Sequence, residues 1–204
     1  MKDNFYPSVV GIFGHRGYGK STLCLEILKT APVKSIILDR VNTFNRGIDI
    51  PNIVFNDNSI LLLREFLECN EAKIFIYKPV SRKELSYFYN LIPLIENCII
   101  GVDEIALEGN SKGFYNDNLH DLIHFGRHKN LGFIGTSQRI RNIPHSFISQ
   151  CDIIFSFAQT DLNDRMFLAG HLNADELINI EMFKYLSFPP NQNIKICFKK
   201  GRKN

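Results

Sequence analysis

The sequence predicts a single α/β domain with a mostly parallel sheet between layers of helices. Short β-branched and aromatic runs alternate with helical patterns along the chain, which is typical of strands joined by crossover helices. Several of these runs are apolar at every position, as in strands that are covered on both faces. With 204 residues, 45% of them hydrophobic, the chain is also long enough to bury one such core.

Strands and helices are predicted in alternation. The predicted strands are 9–13, 35–38, 52–55, 73–77, 98–102, 132–136, 153–157 and 194–198. The predicted helices are 20–30, 59–68, 82–95, 118–127, 161–169 and 174–179. In the first helix, Leu23, Cys24, Ile27 and Leu28 form the inward stripe. Recognisable motifs lie within about 9–159, so 160–204 is expected to be a C-terminal elaboration of the same domain.

Composition favours a reducing, cytoplasmic location without a membrane segment. The N-terminus lacks the layout of a signal peptide, and charged residues and a proline interrupt the long apolar stretch 91–107. The net charge of +3 is too small to indicate a nucleic-acid partner by itself, and the basic residues near the C-terminus are interpreted as a solvated end. The cysteines occur singly and in odd number, which argues against disulfides or a structural zinc site: Cys24, Cys69, Cys98, Cys151 and Cys197.

The stretch GHRGYGKST, between the first predicted strand and helix, has the spacing of a phosphate loop, or Walker A motif. Glycines let the backbone N–H groups turn inward around phosphate oxygens, and the helix dipole points at the same anion. Lys20 is expected to neutralise the β- and γ-phosphates of ATP, and the Ser21 hydroxyl to hold Mg²⁺. The predicted nucleotide-binding residues are Gly14, His15, Arg16, Gly17, Tyr18, Gly19, Lys20, Ser21 and Thr22.

Two further strands end in polar residues that suit hydrolysis. CIIGVDEI has the pattern of a Walker B strand, where Asp103 is expected to hold the magnesium and Glu104 to accept a proton from the attacking water. GFIGTSQR places Gln138 where it is expected to reach the γ-phosphate or that water. In an open parallel sheet the carboxyl ends of the strands meet the ligand, so these side chains are predicted to converge.

With these motifs and FGRHKNLGFIGTSQRIRNIP in order, the chain resembles the FtsK/HerA division of P-loop ATPases, and most of all viral DNA-packaging ATPases. The resemblance implies a three-layer RecA/ASCE-like fold and a homo-oligomeric ring, a pentamer or hexamer, that threads double-stranded DNA. It also implies that ATP is held between neighbouring subunits and that capsid vertex proteins are partners. The location would then be the host cytoplasm, with a transient stay at the capsid vertex.

A ring of this kind uses an arginine from the neighbouring subunit to stabilise the transition state. By similarity to the family pattern, Arg127 is the first candidate, and Arg139 and Arg141 follow because they leave a strand on the ligand side. The DNA contact is expected in the segment 107–117, where Lys112 would meet the phosphate backbone. A flexible surface loop is the alternative interpretation of that segment.

The sequence leaves the role of several other residues, and two alternative functions, undecided. His120, His124 and His128 recur every four residues, which suggests a solvated or subunit-facing stripe more than a zinc helix. Asp39 and Arg40 end a strand at the ligand edge without an assigned role. The alternative functions are a nucleoside or nucleotide kinase resembling thymidine kinase, and an ATPase of filamentous-phage assembly.

Overall fold

A computed structural model describes residues 8–44, 52–53, 73–79, 81–169, 180 and 184–188. The strands are β1 Val9–Phe13, β2 Lys34–Leu38, β3 Asn52–Ile53, β4 Ile74–Tyr77, β5 Cys98–Val102, β6 Gly109–Asn110, β7 Gly113–Phe114, β8 Leu131–Ser137, β9 Ile153–Ser156 and β10 Leu186–Phe188. The α-helices are α1 Lys20–Thr30, α2 Arg82–Leu91, α3 Asp117–Phe125, α4 His145–Gln150 and α5 Leu162–Leu168. Short 3₁₀-helices cover Ile92–Leu94, Ile105–Leu107, Gly126–Lys129 and Ile140–Asn142.

Within the described residues, the main sheet has the strand order β10-β9-β1-β8-β5-β2-β4-β3. Its neighbouring strands run parallel except for β10, which pairs antiparallel with β9 at one edge. The strand β1 lies between β8 and β9, so the loop that follows β1 emerges between the carboxyl ends of two neighbours. The predicted α/β fold with a mostly parallel sheet is confirmed.

Alternate residues of the central strands of the sheet face two separate cores, as the period of a strand requires. In β2, for example, Ile36 and Leu38 belong to one core and Ile37 to the other. The helix α1 covers one face through its buried stripe, which contains the predicted Leu23, Cys24, Ile27 and Leu28 and also Leu25. The helices α2, α3 and α4 pack against the other face, which gives three layers.

The structure differs from the prediction mainly where elements are short. The prediction missed α4, β10 and the hairpin β6–β7, and it continued two helices through residues that form 3₁₀-turns. The predicted helices 59–68 and 174–179, the strand 194–198 and the basic end lie outside the described residues, and only 52–53 of the strand 52–55 is described. Cys24, Cys98 and Cys151 are free thiols. None of the described helices has the length and apolar character that a membrane crossing requires.

Candidate nucleotide site and its surroundings

The loop between β1 and α1 takes backbone angles that favour glycine. Gly14, Gly17 and Gly19 have φ values of 141°, 85° and 108°. A Cβ on Gly14 would lie 2.6 Å from the Cβ of Phe157, so the position also lacks room for a side chain. Glycine spacing in the sequence therefore reflects both backbone conformation and close approach.

Backbone hydrogen bonds fix this loop to both neighbours of β1. The Gly14 N–H donates to the Ser137 carbonyl at 3.2 Å, and the His15 N–H donates to the Ala158 carbonyl at 3.0 Å. The chain direction at the start of the loop is thus set by the ends of β8 and β9. His15 and Arg16 are exposed, whereas Tyr18 is half-buried and packs against the core beneath α1.

Lys20 is buried at the first position of α1, and its Nζ donates to the His15 carbonyl at 3.0 Å. Burial lowers the pKa of Lys20, while the nearby carboxylates of Glu104 and Asp103 act in the opposite direction. The first turn of α1 contains no acidic residue, and its N-cap residue, Gly19, has no side chain that could accept a hydrogen bond from the first N–H groups. A helix start with free N–H groups and a buried ammonium group is suited to an anion.

Asp103 follows β5 directly and is 4% exposed. Its carboxylate accepts hydrogen bonds from Thr136 Oγ1, at 2.6 Å, and from Thr43 Oγ1. Burial raises the pKa of Asp103, and the charges of Asp39 and Glu104 add to that rise. Carboxylates this close together and out of water are stabilised by a cation, so Asp103 fits the requirements of a metal ligand.

No group of three or more His, Cys, Asp or Glu side chains able to hold a metal occurs in the part of the chain that the structure describes. Mg²⁺ commonly keeps several waters and binds through one or two protein oxygens plus phosphate, so it does not require such a group. Ser21, half-buried in the first turn of α1, is the second candidate ligand.

Glu104 has a left-handed backbone conformation, with φ 54° and ψ 58°. Its carboxylate accepts hydrogen bonds from the Ser137 hydroxyl at 2.8 Å, the Gln138 N–H at 3.1 Å and the Gln138 side-chain amide at 3.1 Å. The end of β8 thus holds this carboxylate at the same sheet edge as Lys20. Gln138 was expected to reach a phosphate or water, and in this structure it contacts Glu104.

Sequence reasoning missed Thr43 and Thr136, and it left Asp39 without a role. Asp39 is buried and accepts hydrogen bonds from the N–H groups of Thr43, at 3.0 Å, and Phe44, at 3.2 Å. It closes the turn 39–44 that presents the Thr43 hydroxyl to Asp103. A buried acid directly after a strand is the only local signal for this arrangement.

The three candidate arginines occupy different surroundings. Arg127 is exposed in the 3₁₀-helix that precedes β8. It therefore lies at the amino ends of the parallel strands, whereas the phosphate loop lies at their carboxyl ends. The seven residues of β8 separate the two ends, which at about 3.3 Å per residue is roughly 20 Å. Arg139 donates to Asp161 at 2.7 Å and to Asp164 at 3.3 Å within its own chain. Arg141 is exposed, and its backbone N–H donates to Asp164 at 3.2 Å.

The segment 107–117 is more ordered than the expected loop. Gly109 and Asn110 pair antiparallel with Phe114 and Gly113, and Lys112 is exposed at the tip. Each strand is only two residues long, too short for a periodic signal in the sequence. The hairpin presents Lys112 on a defined support.

The histidine stripe lies on α3 and the turn after it. The rings of His120 and His124 have centroids 4.3 Å apart, and His120 lies 3.3 Å from the Asp121 carboxylate. Burial lowers the pKa of His124, and the neighbouring His120 adds to that effect. His128 is exposed, and the buried residues of α3 are Leu119, Leu122 and Ile123.

The sheet order and the glycine loop between β1 and α1 define the fold as that of the P-loop NTPases. No protein-family model and no curated protein matches the chain. Several solved structures, however, resemble this chain in fold. The genome packaging NTPase B204 from Sulfolobus turreted icosahedral virus 2, in complex with AMPPCP, superimposes with a TM-score of 0.68 at 16% identity, over 89% of this chain and 91% of that one.

Two other solved structures extend the comparison. B204, the DNA-packaging ATPase from Sulfolobus turreted icosahedral virus, has a TM-score of 0.68 at 18% identity, over 90% of this chain and 93% of that one. EssC from Geobacillus thermodenitrificans, represented by its ATPases 2 and 3, has a TM-score of 0.55 at 16% identity, over 88% of this chain and 37% of that one. The expected resemblance to packaging-type P-loop ATPases is therefore confirmed at the level of the fold.

Proposed function

We propose that this chain is an ATP-hydrolysing motor that translocates double-stranded DNA, and that its task is to package a viral genome into a preformed capsid. The observation that carries the proposal is that Lys20, at the start of α1, and Asp103 and Glu104, directly after β5, lie at the same end of the parallel sheet, where β8 separates β1 from β5. The fold shared with packaging ATPases over about nine-tenths of both chains supports the choice of a motor over a kinase.

In this proposal, the loop 14–19 and the start of α1 bind the triphosphate of ATP. Their N–H groups surround phosphate oxygens, and the Lys20 ammonium group moves from the His15 carbonyl to the β- and γ-phosphates. Asp103 and Ser21 would hold Mg²⁺ beside them. When bound, Mg²⁺ neutralises phosphate charge and orients the γ-phosphate for attack.

Glu104 is proposed as the general base. It accepts a proton from the water that attacks the γ-phosphate, and the donors at the end of β8 aim its carboxylate at that water. Gln138 acts by positioning Glu104, with the phosphate or water as its second contact.

Assembly into a ring, a pentamer or hexamer, would complete each site with an arginine from the neighbour. Arg127 is the first candidate because it is exposed and too far from the phosphate loop of its own chain to serve there. A role for Arg139 requires its pairing with Asp161 and Asp164 to break. Arg141, on the ligand side, is exposed and remains a candidate.

Lys112 at the hairpin tip is proposed to contact the DNA backbone, which gives binding without sequence preference. Movement of the hairpin during hydrolysis would then displace the DNA. The proposed location is the host cytoplasm and, during packaging, the capsid vertex with its proteins.

The test is phosphate release from ATP with and without double-stranded DNA. A motor predicts stimulation by DNA, and phosphate transfer to thymidine in place of release would contradict the proposal. Glu104→Gln and Arg127→Ala should each lose turnover, and mixing the two variants should restore part of it, because the first supplies the arginine that the second lacks. Arg82→Ala, which removes an exposed arginine from the start of α2, is the matched control. No recovery on mixing, while each variant still binds ATP, would exclude Arg127 as the residue supplied by the neighbour.

A further inference from the structure

A partly buried ion pair, between the buried Glu108 and the partly exposed Arg40, lies just outside the proposed catalytic residues. Glu108 is 3% exposed, and its Oε1 accepts from Arg40 Nη1 at 2.6 Å. The hydroxyl of Tyr89, on α2, donates to the other carboxylate oxygen. Arg40 also donates to the Leu107 carbonyl at 3.4 Å. Desolvation of the carboxylate offsets much of the attraction in such a pair, so its main effect is the fixed geometry that it imposes.

Glu108 forms the base of the hairpin that presents Lys112. Its carbonyl accepts from the Tyr115 N–H at 2.9 Å, which closes the hairpin below β6 and β7. Next to it, Gly109 is packed so tightly that a Cβ would lie 2.7 Å from Pro144. The base is therefore held from several sides, whereas Lys112 at the tip is exposed. A displacement of Glu108 and Gly109 would therefore be transmitted to Lys112 at the tip of the hairpin.

The other half of the pair belongs to the nucleotide edge. Arg40 directly follows Asp39, which closes the turn 39–44, and Thr43 of that turn donates to Asp103. The same turn thus contacts the proposed metal ligand on one side and the hairpin base on the other. The second link is covalent, since only four residues, including the 3₁₀-helix Ile105–Leu107, separate Asp103 from Glu108.

We propose that Arg40 and Glu108 are positioning residues that couple the nucleotide-binding edge to the hairpin Gly109–Phe114. Separating the two would leave a buried carboxylate without its counter-charge, which is strongly unfavourable, so a shift of the turn 39–44 moves Glu108 with it. The link does not depend on what the hairpin binds. Its use in moving DNA rests on the proposed function.

Hydrogen–deuterium exchange tests the link without DNA. A non-hydrolysable ATP analogue with Mg²⁺ is expected to change the exchange rates of hairpin amides in the parent by about fivefold or more, the lower end of typical coupling between sites. Glu108→Gln should lose this response. Glu96→Gln, which removes an exposed negative charge at the opposite sheet edge, should keep it. An unresponsive hairpin in the parent, or an unchanged response in Glu108→Gln, would overturn the inference.

Arg40 provides a second variant, because its side chain is 30% exposed and its replacement disturbs the core less. Arg40→Met should lose the response of the hairpin and the stimulation of turnover by DNA while basal turnover persists, and Arg40→Lys should restore both. If DNA stimulates turnover in the parent but the exchange rates of the hairpin amides do not respond to the ATP analogue, the coupling is overturned and the proposed motor is not. A responsive hairpin without stimulation by DNA would contradict the motor and leave the coupling intact.

Discussion

Replacement of Glu104 by glutamine is the sharpest test of the proposed chemistry, because the structure predicts that it removes a base without removing the fold. Glutamine keeps the size of the side chain and one oxygen, which still accepts from Ser137 and from the Gln138 N–H. The third partner is the Gln138 side-chain amide, which presents an acceptor to the new amide group if it turns over. The free energy of unfolding should therefore change little.

The effect on turnover should be large. A positioned general base contributes about 10²- to 10⁴-fold to a rate, which at about 1.36 kcal/mol per factor of ten is roughly 2.7 to 5.4 kcal/mol of barrier. Phosphate release at saturating ATP and DNA measures this loss, and binding of a fluorescent ATP analogue shows that the site is still formed. The affinity for the analogue should be close to that of the parent.

Glu26→Gln is the matched control, since Glu26 is an exposed acid on the solvent side of α1. It should retain the turnover of the parent. A Glu104→Gln protein that binds the analogue and keeps more than about a tenth of the turnover would refute the assignment of Glu104 as the base.

Three further predictions concern the phosphate loop, the acid that follows β5 and the core. Lys20→Ala should weaken ATP binding by about 1.5 to 3 kcal/mol, the usual worth of a hydrogen bond to a charged group; unchanged affinity in a titration calorimeter would contradict its role at the phosphates. Burial raises the pKa of Asp103, so the folded chain holds this proton more tightly than the unfolded chain, and stability should fall as pH rises through the raised value. Asp103→Asn, unfolded with urea in EDTA at several pH values, should show a smaller fall than the parent, and parallel curves would speak against it. Phe147 is fully buried, and its ring packs edge-on against that of Phe133 with 5.5 Å between the ring centroids. Phe147→Ala should therefore lower the free energy of unfolding, measured with urea, by about 3 to 5 kcal/mol. A loss below about 1 kcal/mol would mean that Phe147 does not lie in a packed core.

The central strands could be predicted to within a residue because both of their faces are buried. β1 and β5 have the predicted bounds, and β8 extends one residue beyond them at each end. Such strands are apolar at every position, and glycine or polar residues mark their ends. The helix α4, by contrast, has six residues, and β10 has three. Segments that short contain too few positions for a period to be recognised.

The site could be predicted in part for a related reason. Lys20, Asp103, Glu104 and Gln138 each end or follow a recognisable strand, and parallel strands bring their carboxyl ends to one edge. The contact between Thr43 and Asp103 joins residues 60 positions apart, and a single threonine has no local pattern that announces it. The pairing of Arg139 with Asp161 and Asp164 likewise depends on where α5 packs, which the residues around Arg139 do not encode.

Arg127 lies about one strand length away from the phosphate loop of its own chain. A solitary chain that depends on this arginine would leave ATP intact, and the nucleotide would be consumed only once a second chain stood beside it. Copies that accumulate before assembly would then be harmless to the energy supply of the cell. If the proposed function holds, the length of one strand would make ATP hydrolysis depend on contact between two chains.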